Sequence, residues 1–145
     1  MSDPTLTPAT AMAAFHTRSQ ANEGIQVFLS LPDGTPSEHW LRIRGVDSDV
    51  YRREDGKARR KAMEIAQEKD EDKREEMIDD TRLAVQASLV SEWSFSEPCS
   101  LSAVKAFLRE APQVAELVDR TSFQRALFFA KGSTPSSSSP AKASS

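Results

Sequence analysis

The sequence predicts an α+β fold, with an N-terminal β-hairpin or small antiparallel sheet followed by a mainly helical C-terminal part. The change of pattern after residue 46 carries this prediction. Residues 25–46 alternate apolar with polar side chains, as a β-strand does, whereas from residue 47 the apolar side chains recur at every third or fourth position, as in a helix. Small and polar residues dominate 1–23 and 132–145, so we expect a flexible arm, one domain over 24–131, and a disordered tail.

The predicted hairpin spans about residues 25–46. Four apolar side chains fall on one face of its first run: Ile25, Val27, Leu29 and Leu31. In the second run the apolar residues alternate with larger or basic ones, namely Leu41 and Ile43 against Trp40, Arg42 and Arg44. The connection PDGTPSE contains Asp33-Gly34, a common turn pair. Because an isolated hairpin is only marginally stable in water, its apolar face requires a third strand, a helix or another subunit.

Helices, and only helices, are predicted after the hairpin. A charged helix or pair of helices covers about 48–91, with Asp47 or Ser48 as its N-cap. Within it, residues 67–76 carry no apolar side chain, a composition that suits a solvated helix and a hinge loop equally, and Gly56 allows a further break.

C-terminal helices are predicted over about 100–131. Ser100 is a suitable N-cap, and Pro112 suits the first position of a helix, which indicates two short helices or one that is bent at the proline. Near the other end of the chain, the segment TAMAAFH is compatible with a short helical turn.

Composition and charge limit the classes of function. A chain of 145 residues suffices for one domain, and its net charge of −3 and pI of about 5.5 argue against general nucleic-acid binding. A single cysteine cannot form an internal disulfide, and the sequence shows neither a secretory signal pattern nor a run of about 18 apolar residues. We therefore expect a soluble cytoplasmic protein without a membrane or nucleic-acid partner.

No group of residues has the spacing of a catalytic, cofactor or metal site. His16 and His39 are distant from each other in the sequence, and neither is near Cys99, which has no partner for thiol chemistry. The acidic stretch DEDKREEMIDD lacks the ligand spacing and the central glycine of an EF-hand. We therefore expect a protein that is not an enzyme and binds no cofactor or metal.

Apolar side chains in the C-terminal third are candidates for partner binding. The aromatic pair before the helices is expected to anchor a turn, and the stripe along the helices suits the protein's own core as well as a partner. Consecutive helical residues point about 100° apart, so Phe128 and Phe129 are not both expected to enter one small core, and we interpret them as partner contacts. The predicted partner-binding set is Trp93, Phe95, Phe107, Leu108, Leu117, Phe128 and Phe129.

One long segment, WSFSEPCSLSAVKAFLREAPQVAELVD at Trp93–Asp119, combines with the later RALFFAKGS in a distinctive order. A tryptophan and a short turn precede a helix, a Leu-Arg-Glu…Pro step follows, and a second helix leads to paired phenylalanines. In this respect the C-terminal half resembles the tail assembly chaperones of long-tailed, siphovirus-type bacteriophages. The charged helix before Trp93 fits the same family, and the N-terminal hairpin is compatible with it.

The resemblance implies a chaperone that binds the tape measure protein, keeps that long helical chain soluble, and helps to recruit the tail tube protein. In this family a longer form made by ribosomal frameshifting is common, and an extension of this kind would begin near Gly132. The resemblance further implies a place in the host cell cytoplasm and absence from the mature virion, with self-association as an open option.

Two alternatives remain open on the sequence alone. A structural tail or head–tail component, retained in the particle, would use Ile25–Leu31 to complete the sheet of a neighbouring protein. A small regulatory binding protein is the other alternative, and only the acidity of the chain favours it.

Overall fold

The structure is a computed structural model that describes residues 8–129 and confirms the α+β fold. Six α-helices, three strands and one 3₁₀ helix occur in that range: α1 Pro8–Ala13, α2 Arg18–Glu23, β1 Ile25–Ser30, β2 Pro36–Ile43, α3 Asp49–Ala66, α4 Glu71–Ala87, β3 Val90–Trp93, α5 Leu101–Glu110, α6 Pro112–Phe123, and the 3₁₀ helix Arg125–Phe129. The tail predicted at 132–145 and the first part of the predicted arm lie outside the described residues.

The predicted hairpin is present as β1 and β2. The two strands are antiparallel, and Phe28 lies opposite Trp40. Leu31 departs from the prediction, because the strand ends at Ser30 and the side chain of Leu31 is exposed in the turn. Asp33 stabilises that turn by accepting hydrogen bonds from the backbone N–H and the hydroxyl of Thr35, at 3.0 and 2.8 Å.

A third strand corrects the expectation that only helices follow the hairpin. β3 pairs antiparallel with β2, so the strand order is β1-β2-β3 and Leu41 lies opposite Trp93. The predicted charged helix therefore ends at Ala87 rather than near residue 91. The physical reason is the open edge of β2, whose backbone continues to pair where Arg44 N–H donates to the carbonyl of Leu89 at 2.6 Å.

The core lies between the inner face of the sheet and the last two helices. Val27, Leu41 and Ile43 of the sheet are fully buried, and the helices cover them with Val104 and Leu108 from α5 and Val118 from α6. Burial of each such side chain contributes roughly 1.5–3 kcal/mol. Leu108 is thus a core residue, which corrects its assignment to a partner-binding surface.

The charged middle of the chain forms a helical hairpin. Ser48 caps α3 by accepting a hydrogen bond from Tyr51 N–H at 3.3 Å, and the helix continues through Gly56 without a break. The apolar-free stretch 67–76 is divided, since α3 ends at Ala66 and Asp70 caps α4 by accepting from the N–H groups of Asp72 and Lys73. The first part of that stretch is therefore a loop and the rest is helix.

Two separate helices follow the turn after β3. Ser100 caps α5 by accepting from Ala103 N–H at 3.2 Å, and Pro112 takes the first position of α6. Both helices are joined to α4 by polar contacts: Lys105 lies 2.7 Å from Asp80, and the Gln86 amide donates to Asp119 at 2.7 Å. Of the two predicted alternatives, two short helices or one helix bent at Pro112, the structure has the first.

Part of the predicted flexible arm is packed onto the domain. The short turn predicted near residue 12 is α1, and α2 places Ala21 in a buried position where its carbonyl accepts from Gly45 N–H at 3.0 Å. Gly24 ends α2 with a φ of 77°, and a Cβ on it would lie 2.8 Å from the carbonyl oxygen of Ile43. The chain can therefore pass this closely to β2 only because residue 24 has no side chain.

Two glycines with positive φ allow this close approach to be tested. Gly24→Ala and Gly34→Ala both impose the strain of a positive φ, on the order of 1–3 kcal/mol, but only at Gly24 does the added Cβ also meet the chain, since a Cβ at Gly34 meets nothing within 4 Å. We expect Gly24→Ala to lower the free energy of unfolding clearly more than Gly34→Ala does, as measured by urea denaturation. Equal losses for the two variants would contradict the packing account.

Candidate partner-binding surface

An aromatic cluster of Trp93, Phe95, Phe107 and His39 lies at one end of the core. Phe95 stands edge-on to both Trp93 and Phe107, with ring centroids 5.2 Å apart in each pair, and Trp93 lies 5.9 Å from Phe107. The imidazole of His39 stacks on Phe95 at 4.6 Å. The three large rings are half-buried and His39 is exposed, so the cluster is accessible to a partner without any change of fold.

Hydrogen bonds around Ser94 and Trp93 fix the cluster in place. Ser94 N–H donates to the carbonyl of Trp40 at 3.1 Å, while its hydroxyl oxygen accepts from Trp40 N–H at 2.8 Å and lies 2.9 Å from His39 Nδ1. The indole N–H of Trp93 donates to the carbonyl of Glu97 at 2.7 Å and thereby holds the turn that leads to α5. The aromatic rings therefore belong to a rigid part of the molecule.

A recess of mixed polarity, the hairpin-tip groove, adjoins the hairpin turn. Its volume is roughly 260 Å³, and β1 residues face α6 across it. It is lined by Phe28, Leu29, Ser30, Leu31, Pro32, Gln113, Val114, Leu117 and Arg120. The Ser37 hydroxyl donates to the Leu29 carbonyl at 2.6 Å and accepts from His39 N–H at 3.2 Å, so the groove and the aromatic cluster meet at the same end of the hairpin.

The C-terminal corner brings the 3₁₀ helix against the loop after β2. The Arg125 guanidinium donates two hydrogen bonds to Asp47, at 2.6 and 2.9 Å, and this pairing holds the pKa of the Asp47 carboxyl at about 2. Phe128 is 7% exposed and lies near Gly45, where an added Cβ would be 3.4 Å from its ring, while Phe129 is 49% exposed. The partner-contact assignment of Phe128 is therefore wrong, because the protein buries this ring itself.

The seven predicted binding residues do not form one surface. Trp93, Phe95 and Phe107 come together in the aromatic cluster, Leu117 lines the hairpin-tip groove, and Phe129 lies at the C-terminal corner. The remaining two, Leu108 and Phe128, are interior.

Sequence reasoning missed another recess, the helical-hairpin groove between α3 and α4. It is an open groove of roughly 470 Å³ lined by Ala58, Ala62, Ile65, Ala66, Arg74, Ile78, Thr81 and Arg82. The signal was present in the sequence, because alanines at every fourth position of α3 form a stripe of small side chains along one face. Within the described chain, no helix other than α3 and α4 lines this groove.

The remaining chemistry-bearing residues show no constellation in the described range. Burial raises the pKa of the Cys99 thiol, an effect that the nearby Arg44 partly offsets, and the thiolate is the reactive form of cysteine. Within residues 8–129 no three His, Cys, Asp or Glu side chains are grouped as metal ligands would be, and none of the helices there has the length and hydropathy to span a bilayer.

Comparison with protein-family models, with curated proteins and with solved structures finds no match to this chain.

The Asp47–Arg125 pair predicts a pH dependence of stability. A carboxyl whose pKa is depressed from 3.8 to about 2 by folding stabilises the protein fully above pH 4, and this contribution is lost as the pH falls from about 4 to 2. Because Arg125 is more than half exposed, solvent screens the pair, and we expect Asp47→Asn to cost only about 1 kcal/mol near pH 7. Urea unfolding of both proteins should show that this difference shrinks below pH 4. A difference that persists at pH 2 would contradict a role for the ion pair.

Neighbouring phenylalanines test the burial at the C-terminal corner. We expect Phe128→Ala to lower the free energy of unfolding by about 3 kcal/mol, the range of buried aromatic truncations, and Phe129→Ala to change it by less than about 0.5 kcal/mol. Thermal unfolding monitored by circular dichroism gives both values. Similar losses for the two variants would show that both rings are structural.

Proposed function

We propose that the protein is a tail assembly chaperone of a long-tailed bacteriophage, which binds the tape measure protein and keeps it soluble. The observation that carries this proposal is the segment Trp93–Asp119 with its resemblance to that family. The same segment supplies the three large rings of the aromatic cluster, because Trp93 ends β3, Phe95 lies in the turn after it, and Phe107 lies on α5.

Apolar side chains are exposed at many positions of the described surface. Several large ones are more than a third exposed: Met12, Phe15, Phe28, Leu31, Met63, Ile78, Leu101, Phe123 and Phe129. Exposed apolar side chains at single positions are normal on a protein surface, so the proposal rests on those that lie together in the aromatic cluster and at the hairpin-tip groove, where they can cover an apolar stripe of another chain. A tape measure chain exposes long helical stripes before assembly, and these aggregate unless they are covered.

The aromatic cluster is the proposed anchor for that chain. Trp93, Phe95 and Phe107 are half-buried on a rigid framework, so binding orders few additional side chains and can use their remaining apolar area. Leu117 and Phe129 extend the contact from the hairpin-tip groove and the C-terminal corner. The net charge of −3 favours the solubility of the covered complex.

Recruitment of the tail tube protein belongs to the same proposal, through a frameshifted longer form. The proposal also includes a location in the host cytoplasm, absence from finished virions, and self-association as an option.

A second candidate, a structural component retained in the particle, is favoured by one observation. Among the described residues β1 is an edge strand of the sheet and exposes Phe28, so the edge that these residues leave unpaired could pair with a strand of a neighbour. Mass spectrometry of purified tails separates the two candidates, because a chaperone is expected to be missing from them and a structural component to be present in stoichiometric amounts.

The test of the chaperone is co-expression with the tape measure protein of the same genome. We expect the wild-type chain to raise the soluble fraction of that protein several-fold, and Phe95→Ser to abolish most of the effect, because an aromatic anchor is typically worth over 2 kcal/mol of binding energy. The matched control is Phe123→Ser, since Phe123 is an exposed phenylalanine outside the aromatic cluster.

Circular dichroism must show that the Phe95→Ser protein is folded at the temperature of the assay. If the wild-type chain leaves the solubility of the tape measure protein unchanged, the proposed function is wrong. If Phe95→Ser protects as well as wild type does, the anchor lies outside the aromatic cluster.

A further inference from the structure

The helical-hairpin groove is an apolar channel that the described chain leaves open. Its floor is Ile65, which is buried, and its walls are alanines of α3 and Ile78 of α4, which is 41% exposed. The volume of roughly 470 Å³ lies within the range of binding recesses in proteins. None of the residues that line it comes from outside α3 and α4, so one side of this helix pair has no covering layer in the described structure.

The shape of the groove suits a helix. Ala58, Ala62 and Ala66 follow one another at intervals of four residues, so their small side chains let another helix approach closely along the row. The row covers eight residue steps, about 12 Å or slightly more than two helical turns. An entering helix would therefore present anchors at two or three successive positions of its apolar face.

The charge of the groove differs from that of the chain as a whole. The charged residues in the lining are Arg74 and Arg82, and the lining contains no carboxylate, although the net charge of the protein is −3. The Arg74 guanidinium donates to a backbone carbonyl, that of Glu68 at 2.6 Å. Arg82 lies 3.7 Å from Asp79 with both side chains about two-thirds exposed, which makes this a weak ion pair. Both cations are therefore available to a partner.

On the opposite side of α3 and α4, α5 is an example of a helix that docks against this pair. Lys105 and Arg109 of α5 approach Asp80 of α4 at 2.7 and 3.6 Å, so α5 brings basic groups to an acidic site. Asp80 lies about 200° from Ile78 around the helix, on the side away from the groove. On the groove side the charge is of the opposite sign, since Arg74 and Arg82 line it. A helix that binds there needs acidic side chains opposite these two arginines.

From these observations we infer that the helical-hairpin groove is a docking site for an amphipathic partner helix whose apolar stripe is flanked by carboxylates. The inference rests on the proposed function where it identifies that helix as a segment of the tape measure protein. The chemistry of the site, an apolar floor with arginines at its margin, stands without that identification.

Two synthetic helical peptides provide the direct test. Both have roughly 21 residues, or three heptads, with the same leucine stripe, but one carries glutamates beside the stripe and the other lysines. Titrated into the ¹⁵N-labelled full chain, the glutamate peptide should shift the amide resonances of Ala62, Ile78 and Thr81. It should bind at least about tenfold more tightly than the lysine peptide, and Arg82→Glu should weaken or reverse this preference.

A matched pair of variants distinguishes binding in the groove from nonspecific binding to exposed apolar side chains. Ile78→Gln should lower the affinity for the glutamate peptide about tenfold, whereas Leu101→Gln should leave it unchanged, because Leu101 is 43% exposed on α5 and lies outside the groove. Shifts that are confined to other surfaces, or equal losses for the two variants, would overturn the inference. A preference for the lysine peptide would overturn it as well.

The tape measure assay distinguishes this inference from the proposed function. Ala62→Asp places a carboxylate in the groove at an exposed position, and Ala106→Asp is its control on an exposed position of α5. If wild type protects the tape measure protein and Ala62→Asp protects equally well, the groove does not bind that protein, so this part of the inference fails while the proposed function stands. If the peptides bind in the groove but wild type gives no protection, the proposed function fails alone.

Sedimentation tests whether the groove binds a second copy of this chain. Self-association that Ala62→Asp abolishes would show that it does, and would overturn the inference.

Discussion

The pairing of β3 with β2 is the constraint on which the rest of the structure depends. β1 and β2 alone would form a hairpin with an uncovered apolar face, which is marginal in water. β3 supplies the third strand and starts the path into α5 and α6, whose Val104, Leu108 and Val118 bury that face. The same pairing sets Trp93 opposite Leu41 at the end of the sheet, and so fixes where the aromatic cluster can form. The pairing of β3 with β2 therefore determines both how the core is covered and where the aromatic cluster lies.

The helical hairpin is a consequence of the same pairing. Because β2 and β3 are neighbours in the sheet, the 46 residues that separate Ile43 from Val90 must leave the sheet and return to it, and α3 and α4 do so as two helices joined by a short loop. Only Ile65 of α3 and Ala87 of α4 are buried, so this excursion adds little to the core. Its stability comes from caps at Ser48 and Asp70 and from contacts with α5, and its other side stays open as the groove.

The sequence predicted those elements whose signal is local. Alternation predicted β1 and β2, and short polar side chains predicted the caps, Asp47 or Ser48 for α3 and Ser100 for α5, because a strand face or an orphaned N–H imposes its requirement within a few residues. β3 was missed because Val90–Trp93 is too short for alternation to appear and follows a helical pattern directly. Helical geometry correctly predicted that Phe128 and Phe129 do not both enter the core, but it could not predict that Phe128 is the buried ring, which depends on the 3₁₀ helix held by Arg125 and packed near Gly45. No local pattern encodes either the partner strand or the corner that accepts this ring.

The distribution of aromatic side chains bears on function more than their number does. The deepest core positions are aliphatic, with Leu41, Ile43, Leu89 and Leu108 fully buried, while the rings of Trp93, Phe95 and Phe107 sit at the margin of that core. An aromatic ring in this position contributes part of its area to folding and keeps the rest available, so binding can use surface that is already ordered. The helical-hairpin groove offers the complementary arrangement, small side chains that admit the anchors of another helix. Under the proposed function, the rings on one surface and the open groove on another would hold the tape measure chain at two points, and two linked contacts bind a chain more tightly than either contact does alone.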